Sequence, residues 1–160
     1  MIISPYELAF IAGGFTIVGA LIGGWIGYRN ALSIYRISEF NKAATSFRNA
    51  FIPEITFLKH NAVIPDNERT YTTLNEFLQA GYIHRHLKAF EIFKNHLTSK
   101  NRLAIDKAWR EYCYHPDNQY IPFFEQYSWR AANKGIDYEK QLQSLALNRI
   151  EKMLEFAQPK

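Results

Sequence analysis

The sequence predicts an all-α protein, with one N-terminal transmembrane helix followed by a cytoplasmic bundle of about four to five helices. Three observations lead to this prediction. One uncharged apolar stretch lies near the N-terminus, the apolar residues after it recur at helical spacing, and no stretch alternates convincingly as a strand would. With 160 residues, 48% of them hydrophobic and 21% charged, the chain can form one compact domain, and a disordered protein is excluded.

The uncharged stretch has the length of a membrane span. It covers 21 residues, Leu8 to Tyr28, between Glu7 and Arg29. At a rise of about 1.5 Å per residue, such a helix is about 31 Å long, which matches the hydrocarbon thickness of a bilayer. A cleaved signal peptide is the alternative, but it requires a basic N-terminal region, and the only charged side chain before the stretch is acidic.

The charges that flank the stretch predict its orientation. Lys and Arg are absent before it, whereas Arg29, Arg36, Lys42 and Arg48 follow it. By the positive-inside rule, residues 1–28 form a short extracytoplasmic N-terminus and the membrane helix, and residues 29–160 form a cytoplasmic domain. We therefore expect a single-pass protein of the cell inner membrane, with its C-terminus in the cytoplasm.

Small residues recur along one face of the predicted span. Gly19, Gly23 and Gly27 are spaced four residues apart, which lets a second helix approach the backbone closely. We interpret them as a transmembrane contact face, used for self-association or for docking on another membrane protein. Glycine is also common in membrane spans without such a role.

The remaining residues predict the helices of the bundle. An apolar stripe that keeps its phase across Pro53 predicts one kinked helix over residues 30–59, continuous with the span. Thr73 and Glu76 form a capping box that starts the next helix. There the apolar face changes after Gly81, so either the helix breaks near Gly81–Tyr82 or a long helix is buried on both sides; we favour the break. Two further helices are expected over residues 101–114 and 137–157, separated by an irregular segment.

Basic residues are concentrated between residues 85 and 110, which carry seven basic and two acidic side chains. Next to an inner leaflet such a unit could bind anionic lipid, and the candidate residues are Arg85, Lys88, Lys100 and Arg102. A solvated surface is the simpler interpretation. We do not expect nucleic acid as a partner, because no recognition-helix signature or RNA-binding motif is present.

Aromatic residues are concentrated between residues 112 and 129, with seven in 18 positions. The simpler interpretation is an ordered loop that closes one end of the bundle, because each ring can bury about 150–250 Å². The alternative is a partner surface, for which the candidate anchors are Tyr120, Phe123, Phe124 and Trp129.

No catalytic motif is recognisable, so we expect neither an enzyme nor a bound cofactor or metal. His84 and His86 are two residues apart, which on a helix places them on different sides and argues against a shared ion. We interpret them as surface or capping histidines, and Glu54 as a solvated carboxylate.

Together these features predict a membrane-anchored, non-enzymatic interaction protein. Its partners would be the bilayer together with a second copy of the chain, or a membrane or cytoplasmic protein. The alternatives are a module that binds anionic lipid through residues 85–110, or a small helical ligand-binding protein or enzyme.

Overall fold

The computed structural model describes residues 5–60, 73–115, 123–128 and 136–160, and for residues 5, 7–13, 15 and 136–139 it describes the backbone alone. Every regular element within these ranges is helical, and no strand occurs in them. The predicted all-α class is therefore confirmed.

The helices follow one another in the order that the sequence predicts. They are α1 (Pro5–Ala50), α2 (Ile52–His60), α3 (Leu74–Gly81), a π-helical turn (Tyr82–His86), α4 (Leu87–Lys94), α5 (Ser99–Cys113) and α6 (Ile136–Leu154). Two short 3₁₀ turns, Glu125–Tyr127 and Glu155–Ala157, complete the described elements. Pro65, Asp66 and Asn67 predict a turn-rich connection before α3, and they lie outside the described residues.

The chain divides into two compact units, residues 1–39 and 40–160. In the first unit, α1 exposes the large apolar side chains that the structure describes, among them Ile17, Leu21 and Trp25. Among the residues whose side chains are described, no helix is long and apolar enough to cross a membrane. Within the predicted span Leu8–Tyr28, the side chains of residues 8–13 and 15 lie outside the described ones.

The structure has two helices, α1 and α2, where the sequence predicts a single kinked helix over residues 30–59. Helix α1 ends at Ala50, and α2 begins at Ile52, one residue before Pro53. Proline has no backbone N–H, so Pro53 cannot continue the helical ladder. Between the two helices, the N–H of Phe51 donates to the carbonyl of Arg48, three residues back, at 3.1 Å. The predicted apolar stripe is confirmed across the junction, since its members are buried or half-buried: Phe40, Ala43, Ala44, Phe47, Phe51, Ile55 and Leu58.

A π-helical turn accounts for the change of buried face after Gly81. The backbone remains helical from α3 through the turn into α4, so the predicted break does not form. One extra residue in the wider turn offsets the following side chains by about 100°, the rotation of one α-helical residue. Phe77 and Leu78 are buried before the turn, and Phe90 and Phe93 after it. Helical spacing predicts that Ile83 and Leu87 share the buried face of Phe90, but both are exposed.

The start of α3 agrees with the predicted capping box in the position of Thr73 but not in its hydrogen bond. Thr73 is the N-cap residue with extended backbone angles, but its side chain makes no capping hydrogen bond. Helix α5 has the better cap, because the hydroxyl of Thr98 accepts from the N–H of Asn101 at 3.4 Å.

The core of the second unit is rich in stacked aromatic rings. Phe47 stacks on Phe93 with 5.0 Å between ring centroids, and Phe90 stacks on Trp109 at 4.0 Å. Helix α6 packs against α2 and α5. Helical spacing predicts one buried face for the last helix, formed by Leu142, Leu145, Ala146, Ile150, Met153 and Ala157. All of these are buried except Leu145, which is exposed.

Candidate functional site

The most unusual feature of the second unit is a buried cluster of polar side chains at the π-turn. It brings together Glu54 of α2, Arg85 and His86 of the π-turn, and Tyr112 of α5. Glu54, His86 and Tyr112 each have a relative accessibility of 0%. Buried ionisable groups are rare unless they are paired, and single-turn π-helices are frequent at functional sites. We therefore treat this cluster as the candidate site.

Glu54 is the centre of the cluster and has contacts on both carboxylate oxygens. The guanidinium Nη2 of Arg85 donates to Oε1 in a short hydrogen bond and ion pair. The Nε2 atom of His86 lies 3.1 Å from Oε2. Among the residues that the structure describes, however, neither Oε2 of Glu54 nor Nε2 of His86 has an aligned hydrogen-bond partner. The carboxylate is therefore hydrogen-bonded at Oε1, whereas Oε2 has a close contact with His86 but no aligned hydrogen bond.

His86 is enclosed by aromatic and polar groups. Its Nδ1 lies 3.2 Å from the hydroxyl of Tyr112, which can donate to it when the ring hydrogen is on Nε2. The ring of Phe51 is stacked on the imidazole, with 4.0 Å between centroids and an interplanar angle of 16°. These contacts fix the orientation of the imidazole between α2 and α5.

Gly81 provides the space that the carboxylate occupies. A Cβ atom on Gly81 would lie 2.2 Å from Oε1 of Glu54 and 2.7 Å from Cε1 of His86. Both distances are shorter than any real carbon contact, so a larger residue could not be accommodated unless the cluster moved. The last residue of α3 is thus a glycine because the cluster packs directly against its backbone.

Burial sets the protonation of the cluster. The pKa of His86 is lowered, chiefly because burial removes the imidazolium from water; the neighbouring Glu54 carboxylate opposes this and the Arg85 charge adds to it. Burial likewise raises the pKa of Tyr112 well above its ordinary value. His86 is consequently a neutral imidazole at neutral pH, and Tyr112 is a neutral phenol.

The arrangement can hold or release a proton, but it does not resemble a metal centre. Among the described residues, no group of three or more His, Cys, Asp or Glu side chains could hold a metal ion. The proton-binding atom of the cluster is Nδ1 of His86, and the side chain nearest to solvent is Arg85, which is 36% exposed.

The structure corrects two sequence-based interpretations at this site. Glu54 is not a solvated carboxylate, and His86 is not a surface or capping histidine, whereas His84 is exposed as expected. Helical spacing could have indicated that both side chains are buried. Glu54 lies three residues after Phe51 and four before Leu58, which places it on the buried stripe, and His86 lies four residues before Phe90.

The predicted glycine face is open in the first unit. At Gly19, Gly23 and Gly27, an added Cβ would meet no atom within 4 Å. No partner helix covers these residues within the described chain, so the predicted contact face stays a prediction.

Part of the aromatic segment, residues 112–129, lies in the core, and part of it lies outside the residues that the structure describes. Phe124 is fully buried at a positive φ of 60°, and its N–H donates to the carbonyl of Cys113 at 2.9 Å. Phe123 is half-buried and packs edge-on against Tyr82. Phe124 therefore belongs to a loop packed on the end of α5 and cannot anchor a surface partner in this conformation. Tyr120 and Trp129 lie outside the described residues.

The four candidate lipid-binding residues have different surroundings. The guanidinium of Arg85 is used by Glu54, and that of Arg102 donates to the carbonyls of Lys94 and Asn95 at the end of α4. Lys88 and Lys100 are exposed. Within the predicted patch, two residues thus have structural contacts, and the lipid interpretation stays a prediction.

Comparison with known proteins gives no relative from which a role could be inferred. No protein-family model, no curated protein and no solved structure matches the chain.

Proposed function

We propose that this protein is a single-span membrane protein that associates with a second copy of itself through the glycine face of α1, and that it carries a helical domain on the cytoplasmic side. The observation that carries the proposal is an uncharged helical segment in which the large apolar side chains and glycines that the structure describes are open to their surroundings.

Exposure around the helix supports membrane anchoring. Between residues 17 and 26 the exposed large apolar side chains recur at helical spacing and cover about half of the circumference of α1: Ile17, Val18, Leu21, Ile22, Trp25 and Ile26. Contiguous apolar surface of this kind is rare on soluble monomers, and it marks protein or membrane contact sites. Hydrocarbon would remove this surface from water.

The C-terminal end of the segment supports the proposed orientation. Arg29 is the first charged residue after the segment, and its guanidinium carbon lies 4.9 Å from the centre of the Trp25 ring. A tryptophan beside a basic residue is typical of the interface between hydrocarbon and headgroups. The further basic residues that follow favour the cytoplasmic side for residues 29–160.

A second copy of the chain is the occupant that best fits the glycine face. In a two-fold dimer the same surface is used twice, so a flat face of small residues is complementary to itself. Two backbones can then approach closely, and packing between them replaces weaker packing against lipid chains.

Membrane insertion and orientation can be tested with epitope tags at both ends of the full-length chain. We expect the protein to resist alkaline carbonate extraction. In right-side-out vesicles, protease should remove the N-terminal tag and leave the C-terminal tag intact. Extraction with carbonate would overturn the anchor, and the opposite protection pattern would overturn the orientation.

Self-association can be tested by energy transfer between labelled full-length chains in liposomes, with Gly23→Leu as the disrupting variant. Gly14→Leu is the matched control, because Gly14 is also open and lies nine residues, or about two and a half helical turns, from Gly23, on the opposite side of α1. We expect Gly23→Leu to reduce transfer strongly and Gly14→Leu to leave it unchanged. Equal effects of the two variants, or transfer no greater than between non-interacting chains, would contradict self-association.

A further inference from the structure

The cluster around Glu54 has a geometry in which one proton changes the balance of charge. In the closed arrangement, the Glu54 carboxylate faces the Arg85 guanidinium, and His86 beside them is neutral. One negative and one positive group then share the site. A proton added to His86 would place a second positive charge there, between the rings of Phe51 and Tyr112. An uncompensated buried charge is strongly unfavourable.

The groups that face the imidazole are few, and they come from every neighbouring element. Glu54 approaches from α2, Arg85 belongs to the same π-turn, and Tyr112 approaches from α5. The backbone of Ala50, at the end of α1, is also close enough to hydrogen-bond the ring. The Nδ1 atom, which would take up the proton, faces the Tyr112 hydroxyl. This hydroxyl would have to turn its hydrogen away.

The turn itself is a weak point in an otherwise regular helix. A π-turn departs from the i→i−4 hydrogen bonding of the flanking helices. Three buried polar atoms next to it have no aligned hydrogen-bond partner among the residues that the structure describes, namely Oε2 of Glu54, Nε2 of His86 and Nε of Arg85. Such atoms make the closed state less stable than a fully paired cluster would be. The Arg85 side chain, which pairs with the same carboxylate as His86, is 36% exposed, so the cluster reaches the surface at this side chain.

We propose that the π-turn Tyr82–His86 is an acid-released latch, which is closed while His86 is neutral and opens to solvent when His86 takes up a proton. The proton comes from the solvent and returns to it when the turn closes. Opening separates Arg85 and His86 from Glu54 and thereby loosens the contact of the turn with α2 and α5. This inference concerns the second unit alone and does not depend on the proposed membrane function.

The direction of the effect follows from the two states of His86. In the open state the imidazole is hydrated and titrates near its ordinary pKa of about 6.5, whereas burial lowers the pKa in the closed state. The closed state is therefore fully favoured above about pH 6.5 and loses stability as the pH falls below that value. Between pH 7.5 and pH 5.5, the opening equilibrium constant should rise about tenfold if the closed-state pKa lies below this range.

Hydrogen exchange of the full-length protein in detergent micelles can measure this opening residue by residue. We expect the amides of residues 83–87 to show an opening constant that is larger at pH 5.5 than at pH 7.5, by up to about tenfold, after correction for the pH dependence of intrinsic exchange. Amides in the middle of α6 should show no comparable change. A rise of equal size in all helices would indicate global unfolding and would overturn the latch.

Two glutamine variants assign the effect to one histidine. His86→Gln keeps a polar side chain that cannot be protonated, and it should abolish the pH dependence at residues 83–87. His84→Gln is the matched control, because His84 lies on the same turn but is exposed, and it should retain the dependence. Persistence of the response in His86→Gln, or its loss in His84→Gln, would refute the proposal.

A titration of the unmodified protein keeps the proposal falsifiable if His86→Gln does not fold. With histidines labelled at Cε1, the NMR signal of His86 should remain that of a neutral ring as the pH falls through 6.5, the ordinary pKa of histidine of about 6.5 being lowered by burial. A His86 signal that titrates at or above pH 6.5 would overturn the latch.

Discussion

Replacing Gly81 with alanine tests whether the buried cluster determines the packing of α3 against α2. On helix propensity alone, the substitution should stabilise the chain by about 1 kcal/mol, because alanine is the better helix former. The structure predicts the opposite sign. The new Cβ would lie 2.2 Å from Oε1 of Glu54 and 2.7 Å from Cε1 of His86.

The size of the effect follows from how these neighbours are held. The Glu54 oxygen is paired with Arg85, and the imidazole is stacked on Phe51, so neither group is the free end of a flexible side chain. Overpacking of a core costs about 1–3 kcal/mol, and separating a buried ion pair adds to this cost. After the gain in propensity, we expect a net loss of about 2 kcal/mol or more. For a chain of this size, this corresponds to a fall in Tm of at least about 4 °C.

Thermal unfolding of the full-length protein in detergent, followed by circular dichroism, measures this loss. Gly24→Ala is the matched control, because its Cβ would meet no atom within 4 Å, and it should not lower the Tm. An unchanged or higher Tm for Gly81→Ala would refute the reasoning.

A double-mutant cycle identifies the contact responsible. Glu54→Ala is itself destabilising, because it leaves Arg85 and His86 without their acceptor. It also removes the atom that the new Cβ would meet first. Adding Gly81→Ala to Glu54→Ala should therefore cost much less than adding it to the unmodified chain, which gives a strongly non-additive cycle. Additive effects would show that Glu54 is not the source of the strain.

Two other substitutions test the surroundings of the cluster and the aromatic core. Tyr112→Phe removes the hydroxyl that lies 3.2 Å from Nδ1 of His86 and should lower the free energy of unfolding by about 1–3 kcal/mol. The control Tyr114→Phe, at an exposed position, should change this free energy little, and equal effects of the two variants would contradict the buried hydrogen bond. Phe93→Ala removes a fully buried ring and should lower the free energy of unfolding by about 3–5 kcal/mol. The control Leu103→Ala, at a side chain that is 75% exposed, should lower it by less than about 0.5 kcal/mol. Denaturant titration measures both losses, and a small effect of Phe93→Ala would contradict the ring stack.

The regular part of the fold could be predicted because it depends on local periodicity. The apolar stripe from Phe40 to Leu58 and the buried face of α6 both recur at helical spacing, and both are buried in the structure. These features require only the geometry of one helix and the tendency of apolar side chains to leave water. The end of α1 at Ala50 is not part of that prediction, since the stripe keeps its phase across Pro53 and predicts one kinked helix.

The π-turn could not be predicted in the same way, because it is an offset between two helical segments rather than a pattern in either one. The sequence shows that the buried face changes after Gly81. A break in the helix and an extra residue in one turn produce the same change. The contacts of Glu54 with Arg85 and His86, 31 and 32 positions away along the chain, distinguish the two, and these contacts form only when α2 packs against the turn.

The sequence by itself therefore determined the helical class, the order of the helices and most of their buried faces, because each depends on residues close together in the chain. Only the tertiary structure decided that Glu54 and His86 are buried partners and that Gly81 leaves room for them. A charged or polar residue on an apolar stripe can be solvated at an edge or paired inside, and the choice depends on which partner the folded chain places next to it.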